Sequence, residues 1–412
     1  MSTLALYPDD VRRQPHAPKY AGAYDAMLTE LCSELFATLP RSDQRRKGLE
    51  YLRGLLGGQG RKTIRNIAAL IGGSATEQSM HHFISSSIWD WEPVRQALVR
   101  HLVRIAPPQA WVVRPMVIPK GGRHSVGVDR RFFPALGQVL NAQQAVGVWA
   151  ASDEMATPVN WRLHLSEDWL EDDERRTRAS IPDGTVPETL GDCAVGAYLD
   201  MLTTWDVPVR PLVLDAPETD TGAIVRRLRE AGVPLLVRVS STFRLTAADP
   251  ALPGCRAEGV PAHQIMGAAA GMRRPVMWSD HDAAETLRTS MSTSVRVRMP
   301  ARGPRPVRAL GQAGVGDLRL MGEWENGQSS PTALWLTDMT SLHPVALMQL
   351  SKMTRRVDRD FAEISDQVGM RDYTGRSFKG WHRHVTLASA AHAVTALGRA
   401  GRVGRAGLGY AV

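Results

Sequence analysis

The 412-residue sequence predicts an α/β protein with an all-helical region near its N-terminus. Apolar residues recur every three or four positions over residues 20–106, which is the period of a helix. After Pro107 the apolar runs become short and β-branched, and Gly, Pro or Asn bound them, as is typical of strands. Further along, a strand–helix–strand unit with short connections indicates two parallel strands and a crossover helix.

The helical region begins after a polar lead that contains three prolines. Its helices are expected to end at Pro40, at glycine clusters and before Pro107. The two short helices of residues 61–86 could form a helix–turn–helix, and Arg61, Lys62 and Arg65 stand at their start. Helical pairs are common, so this pattern alone is a weak indication of DNA binding.

The segment after Pro107 predicts three consecutive strands near residues 110–119, 124–134 and 140–152, arranged as an antiparallel meander. A helix follows, and then the parallel unit: PLVL at 211–214, a helix that ends at glycine, and VPLLVRVS. We expect the strand at 211–215 to lie parallel to the first strand.

The remainder divides into a β-rich stretch, a long helix from His343 and a helix that leads into Gly and Arg residues. An Asn-Gly dipeptide in WENGQ favours a hairpin. The predicted organisation is a polar lead (1–19), a helical DNA-binding bundle (20–106), a first core part (107–248), a β-rich insertion (249–345), C-terminal core helices (346–395) and a mobile Gly/Arg tail (396–412).

The composition narrows the function classes. Hydrophobic residues make up 43% and charged residues 22%, as in ordinary globular proteins, which excludes a disordered or fibrous chain. The net charge of +8 permits a nucleic-acid partner. Three scattered cysteines fit a reducing cytoplasm and argue against a disulfide framework or a cysteine-rich zinc site. No apolar run is long enough for a membrane span, and we expect a cytoplasmic protein without a membrane partner.

Asp215 is the first candidate for chemistry. It stands at the carboxyl end of an apolar strand and before a helix, where open α/β sheets bind their ligands. A carboxylate at that place can hold a divalent cation. The alternative is that Asp215 caps the following helix or shapes the loop.

The long helix from His343 offers further carboxylates, and Asp358 is the acid on the face shared by positions 351, 354 and 365. Metal-assisted phosphoryl transfer needs carboxylates from several elements that converge on Mg²⁺. The first strand, AWVVRPMVIP, supplies none and has Arg114 and Pro115 instead. Taken without this context, the acids of the long helix are more typical of a solvated helix face.

Basic residues are concentrated in two regions. Residues 352–412 carry most of the net positive charge, and residues 286–311 contain six arginines and no acid. Either run could follow a phosphate backbone, although a solvated surface explains each as well.

Several stretches resemble the DDE transposases of bacterial insertion sequences. The family text WVIDDTGFPKxGKHSVGV is matched by WVVRPMVIPKGGRHSVGV at 111–128, and GMRDYTGRSFKGWHRHVTLASAAHA near the C-terminus is similar to the family's long tail. The second catalytic Asp of the family falls on Asp215 and the catalytic Glu on Asp358. The resemblance covers residues 20–395 and implies an RNase-H-like core, Mg²⁺ as cofactor and double-stranded DNA as partner.

The departures from the family lie on one functional face. The family's Asp-Asp pair is replaced by Arg114-Pro115, and Asp358 is one methylene shorter than Glu. An Arg and a Lys that often flank the Glu are replaced by Thr354 and Ser365. A guanidinium about 4 Å from Mg²⁺ costs up to roughly 8 kcal/mol at an effective dielectric of about 20. Asp129 could in principle replace the lost ligand if SVGVDRR presented it at the same strand edge.

Three functional hypotheses remain open. The first is a transposase-derived DNA-binding protein that has lost strand cleavage and acts as a regulator or inhibitor, alone, as a homodimer or with a related transposase. The second is an active Mg²⁺-dependent transposase that cuts and joins element ends, and the third is a protein-interaction scaffold. For DNA binding we expect sequence preference from Arg61, Lys62 and Arg65, and backbone contacts from a second set with Trp381 packed or stacked nearby. That second set is Lys120, Arg123, Arg376, Lys379 and Arg383.

Overall fold

The computed structural model describes residues 21–72, 74–133, 137–255, 259–280, 286–300, 317–325 and 327–407. The predicted polar lead of residues 1–19 lies outside these residues. The described residues form a mixed α/β protein with an RNase-H-like core, as the sequence predicts. No helix within the described ranges is long and apolar enough to cross a membrane.

The N-terminal region is helical throughout, as predicted. Its helices are α1 (Ala21–Ala37), α2 (Ser42–Gly57), α3 (Ile64–Ile71), α4 (Ser74–His81) and α5 (Trp91–Ile105). A π-helical turn at His82–Ser86 extends α4. Thr63 caps α3 by accepting a hydrogen bond from the Asn66 backbone N–H, and Asp90 caps α5 in the same way through Glu92.

The core sheet begins after Pro107 with four long strands, β1 (Ala110–Pro119), β2 (Val128–Phe133), β3 (Gln138–Ala151) and β4 (Ala156–His164). The predicted meander is wrong in its order, because β3 pairs with β1 on one side and with both β2 and β4 on the other. One long strand can pair with two shorter ones placed end to end, and the sequence pattern does not reveal this arrangement.

The parallel unit has the predicted form. Helices α6 (Glu167–Glu171), α7 (Asp173–Ala179) and α8 (Leu190–Thr204) lead to β5 (Leu212–Leu214), α9 (Thr221–Glu230) and β6 (Leu235–Arg238). β5 is parallel to both β1 and β6, which confirms the predicted parallel pairing with the first strand.

The β-rich stretch continues the same sheet. Its elements are β7 (Arg244–Ala247), β8 (Val260–Pro261), α10 (Ala262–Ala268), β9 (Arg274–Asp280), β10 (Thr286–Arg298), β11 (Leu318–Trp324) and β12 (Ala333–Thr337). β12 pairs antiparallel with β6 and so joins this stretch to the core. The main path of the sheet is β2–β3–β1–β5–β6–β12–β11–β10–β7–β8, with β4 beside β3 and β9 beside β10.

Two long helices complete the core. α11 (Pro344–Asp360) packs across β1, β5 and β6 and ends in a π-helical turn at Phe361–Ser365. α12 (Phe378–Gly407) lies between the sheet and the N-terminal helices. The predicted Gly/Arg tail from residue 396 is wrong in part, because α12 continues through Gly407. Glycine is about 1 kcal/mol less favourable than alanine in a helix, which is why the glycines of this segment predicted an irregular tail.

Arg95 connects three of these elements inside the protein. Its side chain is only 2% exposed. The guanidinium donates to Thr386 Oγ1 at 2.7 Å, Asn160 Oδ1 at 2.9 Å and the carbonyl of Trp161 at 2.8 Å, and it lies 3.1 Å from His382 Nδ1. α5, β4 and α12 are thereby held together by one side chain, and the N-terminal helices share a continuous hydrophobic core with the sheet.

Three buried histidines of α12 are neutral. Burial lowers the pKa of His384 to about 4 and that of His392 to about 3, and burial together with Arg95 holds the pKa of His382 well below its usual value. His384 lies 2.8 Å from both the Tyr51 hydroxyl and the carbonyl of Gly369. Protonation would place a positive charge in the buried interior, where desolvation opposes it most strongly at all three histidines.

We expect acid to destabilise the protein through these histidines. Above about pH 6.5 both states are neutral, and the full stability is present. As the pH falls toward the folded pKa values, only the unfolded state takes up protons, which costs up to about 1.4 kcal/mol per histidine and pH unit. Urea unfolding between pH 7.5 and 5 measures this slope. His392→Leu should make the slope shallower, whereas His124→Gln at an exposed position should not; equal slopes would contradict the account.

Candidate active site at the carboxyl edge of the sheet

Three charged side chains lie in one row across the parallel strands. Val113 of β1 is in register with Leu214 of β5, and Leu214 with Val237 of β6. One residue further along, the same register aligns Arg114, Asp215 and Arg238. Residues that face each other on neighbouring strands point to the same side of a sheet, so the three side chains share one face. This is the face against which α11 packs.

The local sequence explains the row. PLVLD and PLLVR begin at Pro211 and Pro234, and each places its charged residue four positions after the proline. The apolar residues between are buried in the core, and the chain becomes polar where the strand reaches the edge. Arg238 is a site residue that sequence analysis missed, and the matching offset from proline is the signal that could have identified it.

Each carboxylate of the site is paired with an arginine. Arg238 Nη1 donates to both carboxylate oxygens of Asp215 at 3.2 Å. Arg114 Nη1 lies 2.5 Å from Asp358 Oδ1, so this ion pair joins α11 to β1. The structure thus brings together Asp215, Asp358 and Arg114, as expected, and adds Arg238.

The four groups interact as one electrostatic cluster. Desolvation raises the pKa of Asp358, and the guanidinium of Arg114 opposes this shift most strongly. Asp215 adds to the rise in that pKa and Arg238 lowers it. The side chain of Asp215 is 11% exposed and that of Asp358 is 51% exposed. Two guanidiniums and two carboxylates give this cluster no net formal charge.

The cluster does not fit the Mg²⁺ ions that the family resemblance implies. Mg²⁺ requires oxygen ligands in a near-octahedral arrangement, and the oxygens of both acids already face guanidinium groups. Arg114 stands at the strand position where a third carboxylate is expected. A cation would have to break both ion pairs or lie beside two guanidiniums. The first costs the energy of the ion pairs and the second adds repulsion between positive charges, so both oppose metal binding.

Three neighbouring positions, Pro115, Thr354 and Ser365, fit the fold but lack the charged side chains that the family resemblance implies. Pro115 lies beyond the last β1–β5 pair, so its missing N–H removes no hydrogen bond to β5. Thr354 is buried, and its hydroxyl donates to the carbonyl of Ser351 within the helix. Ser365 is completely buried in the π-helical turn. Neither Thr354 nor Ser365 adds a charge to the group formed by Arg114, Asp215, Arg238 and Asp358.

Asp129 is poorly placed to replace the missing ligand. It pairs with Ala142 of β3, whereas Arg114 pairs with Gly147 of the same strand. Five residues of strand span about 17 Å, and β3 itself lies between β1 and β2.

Another group of possible metal ligands lies among the N-terminal helices. One ligand atom from each of Glu30, Glu34 and His101 could be shared by an ion. Arg104 pairs with both glutamates, and His101 Nδ1 lies 3.1 Å from Glu34 Oε2, so the acids already have partners. This group belongs to α1 and α5 and is separate from Asp215 and Asp358.

Four of the nine residues expected at a DNA interface are used inside the protein. Trp381 and Arg383 are buried in α12, and Arg383 donates to the carbonyls of Ile84 and Trp89, each at 3.0 Å. Lys62 is buried and donates to the carbonyl of Gly58. Lys62 and Arg383 correct the expectation of DNA contacts, because these buried side chains donate to carbonyls of the protein; the burial of Trp381 agrees with packing and leaves no ring face for stacking on a base.

Lys120 is likewise engaged. Its ammonium donates to the carbonyls of Arg371 and Tyr373 at 2.8 and 2.7 Å, and desolvation lowers its pKa to about 8. Through these two hydrogen bonds, Lys120 connects the end of β1 to the segment that precedes α12. The sequence could not distinguish this structural lysine from a surface one.

Five of the expected residues remain exposed: Arg61, Arg65, Arg123, Arg376 and Lys379. They come from separate segments that the structure brings together. Arg61 lies 3.7 Å from Asp372, and Ser125 donates to the carbonyl of Thr374, so residues 61, 123 and 376 stand on three converging loops. In the arginine-rich run, Arg298 pairs with Asp317, and the run's part beyond residue 300 lies outside the described residues.

A family model described as "DDE superfamily endonuclease" matches residues 34–304, well over half of the chain. Arg114, Asp215 and Arg238 lie within the matched region, and Asp358 lies beyond it. None of the curated proteins matches the sequence. A piggyBac transposase synaptic complex with hairpin DNA, solved by cryo-EM, is similar over 93% of this chain and 79% of that chain. The identity is 10% and the TM-score 0.33, a likeness too distant to carry an argument.

We expect Arg238→Gln to destabilise the protein by about 1–3 kcal/mol, because Asp215 is largely buried and would lose its cationic partner. Chemical unfolding at pH 7 measures the change. The double variant with Asp215→Asn should recover most of the loss, since no unpaired charge remains. Arg210→Gln, at an exposed position just before β5, serves as the control. Equal stability of the Arg238 and Arg210 variants would contradict the pairing.

Proposed function

The chain belongs to the DDE superfamily of endonucleases, and from this premise we propose that it is a catalytically degenerate DNA-binding protein of the insertion-sequence transposase type. Its role is that of a regulator or inhibitor. The observation that carries the proposal is the pairing of both candidate metal ligands, Asp215 and Asp358, with Arg238 and Arg114.

The chemistry of the family explains why this pairing bears on activity. DDE superfamily endonucleases generally use divalent metals. Metal ions in such reactions stabilise charge on the attacking and leaving oxygens of the phosphoryl group. A guanidinium can stabilise charge on a phosphate oxygen, but it does not lower the pKa of a bound water as a metal does. A site with Arg114 and Arg238 in this arrangement can therefore hold a phosphate without supplying a nucleophile.

DNA binding is supported by the exposed basic residues. Arg61, Arg65, Arg123, Arg376 and Lys379 remain accessible, and the net charge of the chain is +8. A protein that keeps this surface but does not cleave can occupy element ends in competition with an active transposase. Alternatively it can form an inactive complex with such an enzyme or with a second copy of itself. Both routes give inhibition, and both fit the cytoplasm expected from the cysteine content.

We expect the unmodified protein not to nick or join duplex DNA that carries its element ends, with Mg²⁺ or Mn²⁺ present. The physical reason is that Asp215 and Asp358, the two candidate metal ligands at the sheet edge, are both paired with arginines. Gel analysis of end-labelled duplex measures both reactions. Restoration requires Arg114→Asp, Pro115→Asp and Asp358→Glu, together with Arg238→Ala to release Asp215.

The matched control is Asp215→Ala in the unmodified protein. Metal-dependent cleavage that disappears in this variant would overturn the proposal and establish an active transposase. Failure of the unmodified protein to bind any duplex at low salt would instead favour the scaffold hypothesis.

A further inference from the structure

We propose that Arg114 and Arg238 form a metal-independent binding site for a backbone phosphate of duplex DNA. The inference rests on the proposed DNA-binding function and specifies what the altered site binds. The chemical class of the ligand is a phosphodiester, and the site lies at the edge where β1, β5 and β6 end their pairing.

Both arginines have donors to spare. Arg114 uses Nη1 toward Asp358, and Arg238 uses Nη1 toward Asp215. A guanidinium carries five N–H donors. Within the described part of the chain, the remaining nitrogens of these two side chains have no hydrogen-bond acceptor. The side chains of Arg114 and Arg238 are 28% and 37% exposed, so these donors can reach a ligand from solvent.

The spacing suits a phosphate. Arg114 and Arg238 stand on strands separated by β5, which places their backbones about 10 Å apart. Arg114 pairs with Asp358 and Arg238 with Asp215, and Asp358 interacts electrostatically with all three other groups, so the two guanidiniums belong to one cluster on this face. Two non-bridging phosphate oxygens can each accept from one guanidinium, and arginine is the side chain best suited to such fork-shaped contacts.

The net charge of the four-residue cluster also allows an anion to bind. An unpaired carboxylate cluster would repel a phosphate, but here two arginines neutralise two aspartates. Asp358 is half-exposed, so it stays hydrated if a phosphate displaces it from Arg114. The Arg114–Asp358 pair is therefore the one that a phosphate separates at lower cost, whereas the more buried Asp215 keeps Arg238 in place.

The site lies within reach of the exposed basic loops. β1 leads from Arg114 to Lys120, a distance of about 20 Å for six strand residues. Lys120 is fastened to the segment that precedes Arg376, and Arg123 follows in the next loop. At an axial rise of about 3.4 Å per base pair, this distance corresponds to about six base pairs of B-form duplex, so one duplex can contact both places.

Binding is tested by fluorescence anisotropy with a labelled duplex of about 20 base pairs, in EDTA, over a range of salt concentrations. The unmodified protein should bind without metal. Arg114→Gln and Arg238→Gln should each weaken binding about tenfold at low salt. Each should also reduce the slope of log K against log salt by about one. Arg210→Gln, an exposed arginine at the opposite end of β5, should bind as the unmodified protein does.

A double variant distinguishes two causes of weaker binding: loss of the contact between Arg114 and a phosphate, and repulsion of DNA by the unpaired Asp358 carboxylate. If Arg114 contacts a phosphate, Arg114→Gln with Asp358→Asn should bind as weakly as Arg114→Gln alone. Recovery of full affinity would mean that the unpaired carboxylate alone caused the loss, and the inference would be wrong. It would also be wrong if Arg114→Gln and Arg238→Gln behaved like the Arg210 variant. The proposed function fails by different results, namely metal-dependent cleavage or no duplex binding by the unmodified protein.

Discussion

The parallel register of β1, β5 and β6 is the constraint on which the site depends. Once Val113, Leu214 and Val237 are aligned, the next residue on each strand must emerge at the same edge and on the same face. The family resemblance implies carboxylates at this edge on β1 and β5, whereas this chain has Arg114 and Arg238 on either side of Asp215. The same backbone therefore holds a neutral cluster of ion pairs instead of a cluster of metal ligands.

The packing around the site keeps this row intact. α11 lies across the three strands and supplies Asp358, while α12 holds the N-terminal helices against the sheet through buried polar contacts. Arg95 and Arg383, both buried in these contacts, bond to carbonyls and neutral side chains, so they contribute no accessible positive charge. The fold thus uses some of its arginines for cohesion and leaves others at the surface for an anionic partner.

Much of the fold could be predicted from the sequence because periodicity and proline positions report directly on local structure. The helices of the N-terminal region, the parallel unit and the long helix that carries Asp358 were all expected. Strand order could not be predicted, since the double pairing of β3 depends on distant segments. Burial of Lys62 and Arg383 could not be predicted either, because a basic residue looks the same in sequence whether it faces solvent or donates to a buried carbonyl.

The candidate site was predicted only in part, because one of its residues is brought in by strand pairing that the sequence does not reveal. The family resemblance identified Asp215, Asp358 and Arg114, but it contained no information on which cation neutralises Asp215. Arg238 lies 23 residues further along the chain and becomes its partner only through the β5–β6 register. A charged residue at the same offset in two neighbouring parallel strands is a pattern that future sequence comparisons within this superfamily can use.

The central claim is that arginines stand where metal ions would bind, and Mn²⁺ titration monitored by electron paramagnetic resonance tests it most directly. The unmodified protein should show no bound Mn²⁺ that depends on Asp215 at millimolar metal. A variant with Arg114→Asp and Arg238→Ala should acquire such a site. Mn²⁺ bound by the unmodified protein and lost in Asp215→Asn would contradict the account.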